Sequence, residues 1–433
     1  MIPEGQAGRL RTTGALWGRS RLTRWASGTT ALALEGGSPI RTEPLAPWPC
    51  FDEDVIQAAV AVLRSGRVNY WTGDEGRLFE QEFASFAGCR HAVAVANGTV
   101  ALEHAVRALG IGPGDEVIVP CRTFIASASA AVMAGATPVM ADVDPVSQDI
   151  TAETILPALS PRTKAIVAVH FAGWPCAMEP ILGLARERGL RVIEDCAQAH
   201  GARYRGRPVG SLGDLAAFSF CQDKTITTGG EGGMVTTNHA EWWQRVWSFR
   251  DHGKSHDAAC CGDHPAGYRW LHESFGTNGR MTEMQAAMGR VLLRKLPAWV
   301  EIRRQHAARL DRCLAQLPAL RVTVPPEEAH HSYYKYHVFV RPERLRSGWD
   351  RDAIIAAIRA EGIPCREIGG GGPDISREKA FEGHPKPSAP LPNARALGET
   401  SLCFLVHPTL SAADIDDVCR AVEKVMGAAT LNR

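Results

Sequence analysis

From about residue 90 the chain alternates short apolar runs with longer stretches whose apolar residues recur at helical spacing. Residues 91–96 (HAVAVA) read as a strand, Asn97-Gly98-Thr99 as a turn, and residues 100–109 as a helix. Further strands are expected at 116–120 (EVIVP), 137–143, 165–170, 191–195 (RVIED), 215–220 and 233–237. Helical patterns separate most of them, among them the small-residue stretch IASASAAVMAGA and residues 178–188. Strands alternating with helices predict an α/β domain with a mostly parallel sheet. Ligands of such sheets bind outside the carboxyl ends of the strands, so the residues just past each run carry the interest.

After Asn278 the pattern changes. Residues 282–317 read as one long helical stretch, with an interruption expected at Pro297. A smaller α/β domain should follow, with strands at 336–341 and 402–406 and helices at 351–361 and 412–426. The four glycines 369–372 read as a flexible loop. The domain expectation is a large one over 36–295, including an N-terminal arm, and a small one over 296–433. Residues 1–35 hold Arg9, Arg11, Arg19, Arg21 and Arg24 with few acids and no sustained apolar period. They read as a disordered extension, either a transit-type leader or an untidy upstream start.

Composition narrows the function. A chain of 433 residues, 45% hydrophobic, can bury a large core, and a net charge of +1 argues against a nucleic-acid binder. No apolar run reaches membrane-spanning length. The 12 cysteines form no C-x-x-C pair, so no metal is expected, and they read as reduced thiols of a cytoplasmic protein.

The candidate chemistry begins with Lys224, just past a strand and beside a glycine-rich turn (LAAFSFCQDKTITTGGEGGMV). A Schiff-base lysine belongs beside a phosphate site, partly desolvated; a surface loop lysine is the plain alternative. Asp195 ends the apolar strand RVIED. A carboxylate there is costly unless paired, with the protonated ring nitrogen of pyridoxal 5'-phosphate or with an arginine, unless the strand simply ends at the surface. Gly98 and Thr99 stand where a helix N-terminus binds phosphate, or where an ordinary cap sits. Ser219 offers a further phosphate hydroxyl, and Phe124 either stacks on a pyridine ring or belongs to the core.

In this order the residues resemble the DegT/StrS-type sugar aminotransferases, within fold type I of the pyridoxal-phosphate enzymes (the aspartate-aminotransferase-like fold). The matching stretches are NGTVAL at 97–102, GPGDEVIVP at 112–120, TFIASASAAVMAGATPVMADVD at 123–144, IEDCAQAHGA at 193–202, FSF at 218–220 with Lys224 and TTGGEGGMV, and TNGRMTEMQAAMG at 277–289. The resemblance runs from about 36 to about 427. It implies that Lys224 binds the cofactor covalently and shuttles the proton. It implies that Asp195 pairs with the ring nitrogen, Gln198 contacts the phenolic oxygen and Phe124 stacks. Gly98, Thr99 and Ser219 would hold the phosphate, and Asn278 would reach the cofactor of a neighbouring subunit, so that a homodimer shares its sites. His170 and Gly173 match a structural turn near the site.

Three departures stand out. Gly279 occupies a usually aromatic position, which predicts a looser loop. The glycine turn after Lys224 is one residue longer than the common form, and residues 366–374 are unusually rich in glycine. The implied reaction is ping-pong transamination from L-glutamate or L-glutamine to a keto-sugar, nucleotide-linked, or to a free keto-cyclitol. Tyr70, Trp71, His252, Tyr334 and Lys335 are candidates for the substrate side, or else ordinary surface residues. A family dehydratase would carry histidine in place of Lys224. A dinucleotide site lacks its G-x-G-x-x-G. A cofactor-binding regulator is the remaining alternative.

Overall fold

The computed structural model describes residues 31–261, 267, 271–369 and 371–431. Its main sheet has seven strands: β1 (His91–Val95), β2 (Glu116–Pro120), β3 (Thr137–Ala141), β4 (Thr163–Val169), β5 (Arg191–Asp195), β8 (Leu215–Ser219) and β9 (Gly233–Thr237). The order is β1-β9-β8-β5-β4-β2-β3, and only β9 runs against the rest. A ribbon of β6 (Arg203–Tyr204), β7 (Arg207–Pro208) and β11 (Ala329–His330) stands apart. The third sheet, in the order β10-β12-β13, is antiparallel: β10 (Leu320–Val322), β12 (Tyr336–Val340) and β13 (Ser401–Phe404).

The central strands are buried on both faces, β2 and β8 along their whole length, because helices cover each side. Those helices are α1 (Glu53–Ser65), α2 (Glu75–Ala87), α3 (Gly98–Ala108), α4 (Ala126–Met133), the one-turn α5 (Ala152–Ile155), α6 (Met178–Arg188), α7 (Ala240–Arg250) and the short α8 (His256–Cys261). Helix α9 (Glu283–Leu314) opens on a capping box between Thr282 and Gln285. It runs unbroken through Pro297, where an interruption was expected. Packing explains its persistence: α1 and α2 press on α9 from the main body, and α12 (Ala412–Ala429) from the C-terminal one. Helices α10 (Arg351–Ala360) and α11 (Pro392–Thr400) complete the C-terminal body.

Residues 1–30 of the expected disordered extension lie outside the described residues. Residues 31–35, assigned to the same extension, instead carry a 3-10 turn at Ala33–Glu35, with Leu32 buried in the C-terminal core. The cause is Glu361, fully buried, whose carboxylate accepts from Ala33 N (2.9 Å), Ile40 N (3.1 Å) and Lys424 Nζ (2.7 Å). Arg41 adds ion pairs to Asp414 (2.7 Å) and Asp417 (2.9 Å), and Thr409 Oγ1 donates to Pro47 O (2.9 Å). The arm thus lies against the C-terminal body rather than the sheet it precedes.

Buried histidines contribute to the acid response. Burial, joined by nearby cations, lowers His104 to about 4 and His200, His337 and His407 to about 3. These rings are neutral in the folded chain and take up protons once unfolded. Their contribution is therefore complete above about pH 6.5 and is lost as pH falls towards 3, by on the order of 1–2 kcal/mol each at pH 5. Thermal melts should show a midpoint several degrees lower at pH 5 than at pH 7.5, with the unfolding transition taking up protons.

Candidate active site

A cavity of about 980 Å³ opens at the carboxyl edge of the main sheet. The β1–α3 turn, the β2–α4 turn, the end of β5, the β8–β9 loop and the C-terminal segment 366–378 all contribute to its wall.

At the first turn Asn97 Oδ1 accepts from Val100 N (2.9 Å) and caps α3, while the opening N–H groups of the helix have no intrahelical partner. Glycine is required here by space. A Cβ on Gly98 would lie 2.5 Å from Ser219 Cβ, and one on Gly233 would lie 2.4 Å from Asn97 O. These close approaches gather Gly98, Thr99 and Ser219 into one cup on the cavity wall. Gly98→Ala should wedge α3 from β8, lower stability by ~1–3 kcal/mol and weaken pyridoxal-phosphate binding about tenfold or more. A fluorescence titration of cofactor-free protein checks this.

Asp195 is 5% exposed, which settles it as an interior carboxylate rather than a surface strand end. Its Oδ2 accepts from Ser127 Oγ (2.7 Å) and its Oδ1 from Ala197 N (3.1 Å). Ser127 is in turn within 2.9 Å of Thr123 Oγ1. Among the described residues no arginine or lysine pairs with Asp195. Gln198 is buried beside it, its Oε1 accepting from Ala172 N (2.8 Å). Phe124 is 54% exposed although it follows a fully buried strand, and its ring faces the cavity.

Lys224 lies in the β8–β9 loop and lines the cavity, its Nζ 5.0 Å from the centre of the Tyr334 ring. The extra residue of the glycine turn is absorbed by Gly229 and Gly230, at φ +85° and +123°, conformations that side chains resist. Glu231, just beyond, joins the wall.

Behind the site, His170 Nε2 and Glu194 Oε2 are 3.0 Å apart, both fully buried, and Cys176 N donates to His170 Nδ1 (3.0 Å), so the ring presents its proton to Glu194. Burial pushes the Glu194 carboxyl up, but His170 and the N–H groups of Gly210 and Gly213 hold it below the usual range. Cys196 adjoins this pair; with the ring nitrogens and carboxylate oxygens already bonded to protein, the cluster is a structural knot at the β4 and β5 ends.

Of the residues singled out from sequence, Gly98, Thr99, Phe124, Asp195, Gln198, Ser219 and Lys224 meet in this one cavity. Asn278 does not: it is exposed and outside the wall. Of the substrate-side candidates only Tyr334 reaches the wall. Tyr70 OH donates to Glu80 (3.0 Å) and Trp71 Nε1 to Asp251 (2.8 Å), both in packing networks elsewhere. His252 stands outside the wall, and Lys335 is half-buried outside it, 3.8 Å from Asp223. Sequence reasoning missed Ser127, although Thr123 and Ser127 stand four apart at a helix start. It also missed Arg366 and Glu378, whose segment showed only glycine.

Two expectations are corrected. The loop at Gly279 is tight, not loose: its N donates to Arg250 O (2.9 Å), its O accepts from Ala96 N (2.8 Å), and a Cβ would lie 2.9 Å from His104 Nε2. The buried His104 ring fills the space an aromatic would take. The glycine loop is likewise pinned, since Gly372 N donates to Thr123 O (2.9 Å) and a Cβ on Gly371 would lie 2.7 Å from Thr123 C.

The sheet order, the edge on which the cavity opens and the chemistry around it are those of pyridoxal-phosphate-dependent aminotransferases of the aspartate-aminotransferase fold. The chain belongs to the DegT/DnrJ/EryC1/StrS aminotransferase family, whose sequence profile matches residues 49–423. It is similar to GDP-perosamine synthase of Caulobacter vibrioides, 39% identical over 82% of this chain and 92% of that one. It also resembles L-glutamine:2-deoxy-scyllo-inosose aminotransferase of Streptomyces paromomycinus, 39% identical over 78% of this chain and 80% of the relative. The X-ray structure of an aminotransferase from Psychrobacter cryohalolentis superposes with a TM-score of 0.86, at 50% identity, covering 89% of this chain and 99% of the other.

Proposed function

We propose that this aminotransferase moves an amino group from L-glutamate or L-glutamine to a nucleotide-linked keto-sugar, with Lys224 as the group that binds the cofactor and moves the proton. The carrying observation is the meeting of the Lys224 amine, the uncompensated Asp195 carboxylate and the Gly98–Thr99–Ser219 cup in one cavity. Pyridoxal phosphate fits this set: the cup takes a phosphate, the exposed Phe124 face takes a flat ring, and Asp195 takes a protonated nitrogen. Gln198 stands beside Asp195 where it can meet the ring's oxygen. When bound, the cofactor supplies the electron sink. The protein orients the ring, shields it from water and provides a base.

The rest of the cavity and the guanidinium of Arg366 on its wall suit a substrate carrying phosphates. A free keto-cyclitol is the second reading, favoured by the Streptomyces relative at the same identity. Spectra decide between them. The visible cofactor band should bleach with one donor, then return with the true acceptor: a GDP-, UDP- or dTDP-keto-sugar, or scyllo-inosose. Failure of both donors to bleach it would overturn the reading.

A homodimer with shared sites is part of the proposal. Asn278 is exposed and outside its own cavity, on the same segment as the fully exposed Phe275. No helix among the described residues is long and apolar enough to cross a membrane. A cytoplasmic location is part of the same proposal.

A further inference from the structure

We propose that Trp48, on the arm that precedes the first helix, is a positioning residue for the reaction: its indole N–H fixes the backbone carbonyl of Lys224. The inference rests on the assignment of Lys224 above.

The β8–β9 loop that carries Lys224 has no regular structure of its own. Lys224 N donates to Cys221 O (3.1 Å), which ties the residue on one side only. Its carbonyl is met not by the backbone but by Trp48 Nε1, at 2.9 Å. Gln222 and Asp223, just before it, are exposed. A lysine that would both attach to the cofactor and move the proton has to return to one position in each catalytic cycle. That position is set by where its backbone stands.

The indole is itself held on several sides. Trp299 meets it edge-on at 5.1 Å between centroids, and His407 stacks at 5.9 Å. The fully buried Arg303 guanidinium lies 5.1 Å from the ring centre. His407 Nδ1 is 2.8 Å from Thr409 Oγ1, and that hydroxyl donates to Pro47 O, one residue before the indole. Arg303 also donates to Tyr334 O (3.2 Å), and Tyr334 OH donates to Asp223 (2.5 Å). The lysine is therefore gripped from both flanks through one arginine of α9. A tryptophan that only filled space would need no donor aimed at this carbonyl.

The test compares wild type with Trp48→Phe, which keeps an aromatic ring and removes the donor. Both are measured as holoenzyme in the half-reaction with the active donor, followed at the visible band. The saturating rate should fall about tenfold, with the donor's half-saturation concentration within twofold of wild type. In cofactor-free protein, deuterium uptake in peptides covering 220–228 should quicken about tenfold, with uptake over β4 and β5 unchanged. An unchanged saturating rate, or a change in half-saturation alone, overturns the proposal. If Trp48→Phe does not fold, Trp48→Leu, which fills much of the same space and also lacks the donor, is read the same way: a slowed rate supports it and an unchanged rate overturns it. The reading and the inference fail separately, since loss of the visible band in Lys224→Ala tests the first and loss of rate in Trp48→Phe the second.

Discussion

Lys224→Ala is expected to lose at least ~10³-fold in kcat, because one side chain is removed from two jobs, covalent attachment and proton transfer. The visible band of the holoenzyme should be absent, while the melting temperature of cofactor-free protein stays within a few degrees, since the Nζ faces a cavity rather than a packed core. Lys335 cannot take over. It packs on the same Tyr334 ring, 4.6 Å from its centre, but it is half-buried and outside the cavity wall, and its partial desolvation lowers the amine's affinity for protons without bringing it to the site. A small added amine such as methylamine should restore part of the rate. A visible band retained by Lys224→Ala would move the covalent role to another residue.

The second large effect is expected at Asp195. Asp195→Asn preserves shape, and its one carbonyl oxygen can still accept from Ala197 N while its NH2 donates to Ser127 Oγ. It removes the charge and reverses one hydrogen bond. If that charge holds a protonated ring nitrogen, kcat should fall roughly 10²–10³-fold, a loss of ~3–4 kcal/mol of transition-state stabilisation. Asp195→Glu should recover little, because the carboxylate is held within a strand end and its added methylene has no room. Ser127→Ala should cost about tenfold, since it removes one hydrogen bond to an anion and leaves the charge in place. Steady-state kinetics on the three variants, with cofactor occupancy measured in parallel, distinguishes charge from geometry. Equal losses in all three would show that shape matters and charge does not.

The parts of this site legible in the sequence are those whose signal is local. The strand RVIED is apolar up to its acids, so both its existence and the odd placement of Asp195 can be read along seven or so residues. The turn Asn97-Gly98-Thr99 carries its own capping chemistry, and Lys224 sits beside glycines that mark a bend. What could not be read depends on residues far apart in the chain. Gly279 signalled looseness because nothing nearby says that His104 fills its space. Gly371 and Gly372 signalled flexibility because their reason, the backbone of Thr123, lies some 250 positions away. Ser127 shows itself only when the start of α4 meets the end of β5. Pro297 argued for a break in α9, and packing from two bodies overrode it.

The landing site of the arm has a consequence in time. Ala33 bonds to Glu361, 328 positions later, and the other anchors, His407, Thr409, Asp414, Asp417 and Lys424, belong to the last stretch to be made. A ribosome works from the first residue to the last, so the arm waits, unanchored, while the main sheet forms. Only when the C-terminal helix α12 has emerged does the arm gain Asp414, Asp417 and Lys424 as partners. The segment that carries Trp48 to Lys224 is thus secured last, by residues made at the end of the chain.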